Sequence, residues 1–310
     1  MATGPGRVLG SLAAAALGCF AWGLVEANLF TVRHVRVPIL PPGGEELRIL
    51  HVSDLHLTSK QHFKLDFIRS LASLRPDLVV NTGDNIADAT AIFPLMAAWN
   101  SLRFTPGVFV FGSNDYYAPR FKNPLKYLLY GRSHAEEDPV ELPWRTLRDK
   151  MTDVGWKDLT HSRETLEVKG YALAFRGTDD AHLGRDDYTL VAGPADDDAD
   201  LTIGVTHAPY LRILDAMAED GMDLILAGHT HGGQVCVPGY GALVTNCDLE
   251  AARVKGLSSH TQGGRTSALH VSAGVGTSPF APYRFACRPE VTLLTLVPRD
   301  TGFATGDSVG

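Results

Sequence analysis

The sequence predicts an α/β layered sandwich, and three observations carry that reading. Short apolar runs recur along the chain and stop abruptly in Asp, Asn or His. Amphipathic helical patterns separate several of the early runs. The later part, residues 240–297, reads mostly as strands. No internal repeat is visible, so a solenoid, a propeller or a barrel of repeated units is excluded. With 45% apolar residues over 310 positions, the chain can bury a sizeable core and is not disordered as a whole.

Taken in order, the first element is the run from Val8 to Val25, VLGSLAAAALGCFAWGLV, which has no charged residue. It lies between Arg7 and Glu26 and just meets the length of a membrane-spanning helix, about 17–25 apolar residues. Residues 1–30 are therefore expected to form a single-pass anchor in the cell membrane, with a cleaved signal segment as the rival reading. Arg7 competes with Arg33 and Arg36, so the side of the membrane is not fixed. Residues 31–44, with Pro38, Pro41, Pro42, Gly43 and Gly44, read as a linker. The globular domain is expected over 45–298, and 299–310 reads as a disordered tail.

Five apolar runs read as buried strands. Leu47–Val52 ends in Ser-Asp-Leu-His, 78–80 in Asn-Thr-Gly-Asp-Asn, and 108–111 in Gly-Ser-Asn-Asp. Leu201–Val205 ends in Thr-His-Ala-Pro, and Leu224–Ala227 in Gly-His-Thr-His-Gly-Gly. Helical patterns cover 63–73, 87–102 and 210–219.

Composition narrows the chemistry. A net charge of −7, with Lys and Arg scattered, argues against a general nucleic-acid binder, which needs a basic face. Cysteines at 19, 236, 247 and 287 form no CxxC pair, so neither a disulfide framework nor a cysteine zinc site is indicated.

The strand ends supply the candidate site. In open α/β sheets ligands gather beyond the carboxyl ends of the strands, so the five endings should converge. They contribute Asp54, His56, Asp84, Asn114, His207, His229 and His231, all residues that bind metals through oxygen or imidazole nitrogen. One such residue is ordinary turn chemistry, whereas five endings in series are not. Asp54-x-His56 and His229-x-His231 are both i, i+2 pairs, which point the same way in extended chain. Gly228, Gly232 and Gly233 let backbone approach a ligand closely.

Asp54-Leu55-His56, Gly83-Asp84-Asn85, Gly112-Ser113-Asn114-Asp115, Thr206-His207 and Gly228-His229-Thr230-His231 resemble the five blocks of the calcineurin-like metallophosphoesterases. The resemblance runs from about residue 47 to about 296. The stretches 228–237 (GHTHGGQVCV) and 274–296 are similar to the membrane-anchored bacterial branch. The resemblance implies a β-sandwich flanked by helices and a site with two divalent metal ions, for which the mixed imidazole and carboxylate set suits Mn, Fe, Zn or Co. Carried over by position, Asp54, His56 and His231 hold one metal, Asp84 bridges both, and Asn114, His207 and His229 hold the other. Asp84, Asn114 and His207 are the expected catalytic residues. Two such ions, roughly 3.5–4 Å apart, activate a bridging hydroxide and neutralise charge on a phosphoryl group.

One block departs from the family. The usual Gly-Asn-His is here Gly112-Ser113-Asn114. Aligned without a gap, Ser113 falls on the metal-binding Asn and Asn114 on the leaving-group His. Shifted by one residue, Asn114 returns to the metal, and the better ligand field of an amide oxygen favours this second reading. In both cases the block offers no His as general acid, a group typically worth roughly 10²–10⁴-fold. A substrate with a good leaving group is therefore expected.

The expectation is a hydrolase of phosphoester or pyrophosphate bonds acting on a phosphorylated small molecule or lipid. Two alternatives stand beside it. One is a lipid-linked pyrophosphate hydrolase, by analogy with the UDP-diacylglucosamine hydrolases of the same superfamily. The other is a metal-binding membrane protein whose altered third block has cost it catalysis. A metal-dependent amidohydrolase fits poorly, because those enzymes carry HxH on their first strand.

Lesser features complete the reading. The insert 116–144 mixes Arg and Lys with aromatics and reads as a solvated helix, with a cap over the site as the alternative. Asp179 and Asp180 read equally as a turn or as acceptors that orient a ligand His. His51, His62, His134, His161, His182, His260 and His270 read as structural or exposed.

Overall fold

The computed structural model describes residues 5–120 and 139–299. The chain opens with helix α1 (Pro5–Glu26) and continues into β1 (Thr31–Leu40) and β2 (Leu47–Val52). Next come α2 (His62–Ser70), β3 (Leu78–Asn81), α3 (Ile92–Trp99), β4 (Gly107–Phe109) and the single turn α4 (Ser113–Tyr116). The middle holds α5 (Trp144–Asp153), β5 (Lys157–Asp158), β6 (Ser162–Val168), β7 (Tyr171–Gly177) and β8 (Leu201–Val205). It closes with α6 (Leu211–Glu219), β9 (Leu224–Ala227), the short pair β10 (Cys236–Val237) and β11 (Gly241–Ala242), then β12 (Gly256–Gln262), β13 (Arg265–Val271) and β14 (Glu290–Pro298).

Two six-stranded sheets form the layers, in the orders β1-β14-β2-β3-β4-β5 and β12-β13-β9-β8-β7-β6. Strand periodicity of two sorts the core. Leu47, Ile49, Leu78 and Val80 of one sheet meet Phe175, Ile203, Leu224 and Leu226 of the other. Leu50 and Val52 face the opposite way, onto α2 and α3, while Ile225 and Ala227 pack under α6. Between the sheets, His51 and His270 join through their Nδ1 atoms at 2.9 Å. Burial holds both imidazoles well below their ordinary value. The α/β sandwich read from the sequence is the fold.

β2, β3 and β4 run parallel to one another, as do β8 and β9. Their carboxyl ends therefore share one rim of the sandwich, and this arrangement positions the candidate site.

Two expectations are corrected. The presumed linker 31–44 contains β1, which pairs in parallel with β14 from Thr31 opposite Glu290 onward and buries Val37 and Leu40. Its Pro38 fits because β1 is an edge strand. At the N-terminus, α1 forms a helix with Leu12 (63% exposed) and Leu17 (69%) facing outward. Among the described residues, however, no helix is long and apolar enough to cross a membrane, so the spanning segment is not borne out. The carboxyl end of α1 is instead held by polar contacts to the domain. Glu26 is buried and its carboxylate accepts hydrogen bonds from the amides of Ala286 (3.1 Å) and Cys287 (2.7 Å). The Gly23 carbonyl accepts from Arg284 N, and Phe20 packs on Tyr283. Most of the basic-aromatic insert and nearly all of the expected tail lie outside the described residues.

Candidate metal centre

The carboxyl ends of β2, β3, β4, β8 and β9 deliver their polar side chains to one buried cluster. Asp54, His56 and His231 present ligand atoms within 4.8 Å of one another, and so do Asp54, Asp84 and His207. The backbone is strained here: Asp54, His56, Asp84, His229 and His231 all take positive φ, between 41° and 68°. For residues with a Cβ this conformation is costly and concentrates at functional sites. Close packing is also enforced by glycine. A Cβ on Gly112 would collide with Asp84 Oδ1 and the His207 ring, and one on Gly228 with Ser53 Oγ and Asp54 Oδ2.

Hydrogen bonds fix how the imidazoles face. His207 Nδ1 lies 2.6 Å from the Thr82 carbonyl, so Nδ1 carries a proton and Nε2 is the ring atom that points inward, 3.6 Å from Asp84 Oδ2. His231 Nδ1 lies 3.2 Å from the Gly276 carbonyl and 3.3 Å from Arg284 Nη2, contacts that turn Nε2 inward. That Nε2 faces His56 Nε2 at 3.1 Å, with Asp54 Oδ1 at 3.6 Å from His231 and Asp84 Oδ2 at 3.4 Å from His56. His207 Nε2 and Asp54 Oδ1 are buried without a hydrogen-bond partner. Three inward ring nitrogens around an unpartnered buried carboxylate oxygen and Asp84 make a donor set that a cation would satisfy. The residues fit divalent metal.

Electrostatics agree. Burial holds His229 and His231 well below their ordinary value and His56 at about 4, so all three are neutral and able to coordinate. Burial raises the Asp54 carboxyl to about 6. It would raise Asp84 too, but the His207 and His56 imidazoles and two hydrogen bonds from Asn114 overcome it and leave Asp84 at about 2. Burial also disfavours charge on His207, yet Asp84, Asp180 and Asp54 together push it up to about 9, so the metal-free ring keeps a proton on Nε2 that a bound cation would displace.

The other two expected ligands lie at the edge of the cluster. Asn114, on α4, donates its backbone N–H to Asp84 Oδ1 (2.7 Å) and its amide Nδ2 to Asp84 Oδ2 (2.8 Å). Ser113 Oγ sits 3.4 Å from the same Nδ2. His229 packs its ring 5.1 Å from His207, with Nε2 turned to Asn246.

Several contributors were not assigned a role from sequence. Buried Asp115 accepts from the amides of Gly112, Asp84 and Asn85, tying the second and third strand ends together. It lies in the Gly112-Ser113-Asn114-Asp115 block, and that position is the signal the sequence carries for it. Arg284, fully buried, donates to the carbonyls of Ala273, Gly274, Gly276 and His231 and backs the His231 loop. Asn246 contacts His229, and the His182 ring lies 4.4 Å from His229. Local sequence pattern gives no signal for these three, since only the tertiary fold brings them near.

A family model for the calcineurin-like phosphoesterases matches residues 47–233, which contain every strand end named above. The chain belongs to the calcineurin-like phosphoesterase family. Among similar proteins, a metallophosphoesterase of Bacillus subtilis (strain 168), YkuE, is 27% identical, covering 93% of this chain and 94% of its own. Phosphodiesterase YaeI of Escherichia coli (strain K12) is 25% identical, covering 86% and 87%. A transmembrane protein with metallophosphoesterase domain from Bos taurus is 25% identical, covering 86% of this chain and 56% of its own. As a calcineurin-like phosphoesterase the chain is consistent with a phosphoester hydrolase and carries candidate ligand groups for divalent metal in Asp54, His56, Asp84, His207 and His231.

Proposed function

We propose that this phosphoesterase is a binuclear-metal hydrolase of phosphoester or pyrophosphate bonds. The supporting observation is the cluster of inward-facing Nε2 atoms of His56, His231 and His207 around Asp54 and Asp84. Asp54, His56 and His231 would hold one ion, Asp84 both, and Asn114, His207 and His229 the other. When bound, two divalent ions (Mn, Fe, Zn or Co) supply a hydroxide nucleophile at neutral pH and Lewis acidity toward the phosphoryl oxygens.

The chain's own residues prepare that chemistry. Asp115 fixes the backbone that aims Asp84, and Asn114 holds both oxygens of Asp84 in place. The Thr82 carbonyl locks His207 with its Nε2 inward, and Arg284 with Gly276 does the same for the loop of His231. Burial of Asp54, His56, Asp84, His207 and His229 limits water around them and strengthens each charge interaction. α4 supplies no imidazole, which favours substrates whose leaving group departs without a proton, such as an aryl alcohol or a phosphate.

The test is hydrolysis of bis(p-nitrophenyl) phosphate by the manganese-loaded full chain. Asp84→Asn should abolish turnover while leaving the melting temperature of the metal-free protein within a few degrees. Normal turnover in Asp84→Asn would remove the proposal.

Location follows from α1. Its outward Leu12, Leu17, Phe20 and Val25 form an exposed apolar surface that favours association with a membrane and a substrate found there. Co-sedimentation with lipid vesicles, lost when these four are changed to Ser, tests that placement.

A further inference from the structure

The loop that follows β7 brings cationic and imidazole groups to the same rim without having been part of the metal cluster. Its backbone is cross-braced: Arg185 N donates to the Asp180 carbonyl, His182 N to Asp180 Oδ1, and Asp180 N to Asp179 Oδ1. His182 lays its ring 4.4 Å from that of His229, with Nδ1 3.2 Å from the Tyr210 hydroxyl. Arg185 lies 3.9 Å above the ring of Tyr116, the last residue of the turn that carries Asn114. Asp179 holds this arrangement from below, accepting from the Tyr116 hydroxyl at 2.7 Å and from Arg185 Nε at 3.0 Å.

The bond from Nε is the only side-chain hydrogen bond of Arg185 among the described residues. It engages one edge of the guanidinium, and the side chain is 36% exposed. The ring of Tyr116 and the carboxylate of Asp179 thus fix a planar cation whose terminal N–H groups form a fork suited to phosphate oxygens. Asp179 alone would be satisfied by a lysine or a water; holding an arginine stacked in one orientation on Tyr116, in the turn that carries Asn114, is the geometry of anion recognition.

We propose that Arg185 and His182 form a second anion subsite, which receives a phosphate carried by the leaving group of the substrate. This rests on the hydrolase reading above and deepens it: the preferred substrates are pyrophosphate-linked, such as nucleoside diphosphates or their esters. Hydroxide attack on the phosphorus next to the nucleoside forms one P–O bond and breaks the P–O–P bond, releasing inorganic phosphate or its monoester; Arg185 binds that departing phosphate and His182 contacts the oxygens nearer the scissile bond. Binding energy from this second phosphate is spent on positioning, and the departing phosphate needs no proton from α4.

The experiment compares kcat/KM of the manganese-loaded full chain for ADP with that for bis(p-nitrophenyl) phosphate, whose leaving group has no second anion. The ADP preference should fall about tenfold in Arg185→Ala and His182→Ala and less in Arg185→Lys, the loss of one charge-assisted contact. A merely structural role would lower both substrates together and leave the ratio unchanged, which would overturn the subsite. Calorimetry with methylenebisphosphonate gives a second readout independent of turnover. Wild-type binding weakened about tenfold in Arg185→Ala supports the subsite even if neither substrate is hydrolysed, an outcome that would defeat only the hydrolase reading. Equal binding by wild type and Arg185→Ala, or none by either, overturns it.

Discussion

Asn114 grips Asp84 at both carboxylate oxygens, with its backbone N–H on Oδ1 at 2.7 Å and its amide on Oδ2 at 2.8 Å. The altered third block therefore still serves the central carboxylate. An amide flip would turn Asn114 Oδ1 toward a cation beside Asp84, whereas the Ser113 hydroxyl touches the amide and not the carboxylate. Asn114→Ala should lower kcat on bis(p-nitrophenyl) phosphate by about 100-fold, the scale of one lost oriented polar group in an active site. Ser113→Ala should stay within about threefold, as expected for a residue away from the reacting groups. The reverse order would move the ligand to Ser113.

The amino-terminal segment is part of the fold. Glu26 is buried against the amides of Ala286 and Cys287, close to Arg284 and the His231 loop. Glu26→Ala leaves those amides unpaired and should cost about 1–3 kcal/mol, read by urea denaturation. A chain starting at Glu45 loses β1, exposes the β14 edge and should fail to accumulate as a folded species. One starting at Leu29 keeps β1 and should retain native-like circular dichroism.

Lys64 provides a pH test. It is buried, with Nζ 2.7 Å from the Leu55 carbonyl, and burial lowers its pKa to about 7 from the ordinary 10.5. Between those values the unfolded chain binds the extra proton, so stability rises with pH across that window. Lys64→Met removes the titration. Its stability advantage over wild type should be largest near about pH 6.5 and shrink toward about pH 9, measured by urea denaturation at each pH. A constant difference would show that Lys64 keeps its charge at neutral pH.

Gly112 tests the packing at the centre. A methyl group there collides with Asp84 and His207, which are held by backbone contacts and cannot retreat. Gly112→Ala should weaken manganese binding by at least about tenfold, read by equilibrium dialysis, comparable to loss of an outer-shell support. Unchanged affinity would mean that the ring of His207 moves freely.

Much of this was legible in the chain. β2, β8 and β9 follow the apolar runs residue for residue, because strands buried between the two layers select sequences rich in Leu, Ile and Val. The polar residues after those runs converge because parallel strands end on one rim. β1 was hidden for a physical reason. As an edge strand it tolerates Pro38 and exposed Arg33, His34 and Arg36, so its pattern resembles a linker. The membrane reading of α1 followed from apolarity alone and did not foresee that buried Glu26 fastens the helix to the domain. Arg284, Asn246 and His182 act through contacts between segments far apart in sequence, which no local pattern records.

The account turns on a pair of cations sharing Asp84. Anomalous diffraction from crystals of the full chain soaked in manganese tests this most directly. The predicted result is two peaks roughly 3.5–4 Å apart, both in contact with Asp84, one also touching Asp54, His56 and His231 and the other Asn114, His207 and His229. A single peak, or none among these seven side chains, would contradict it.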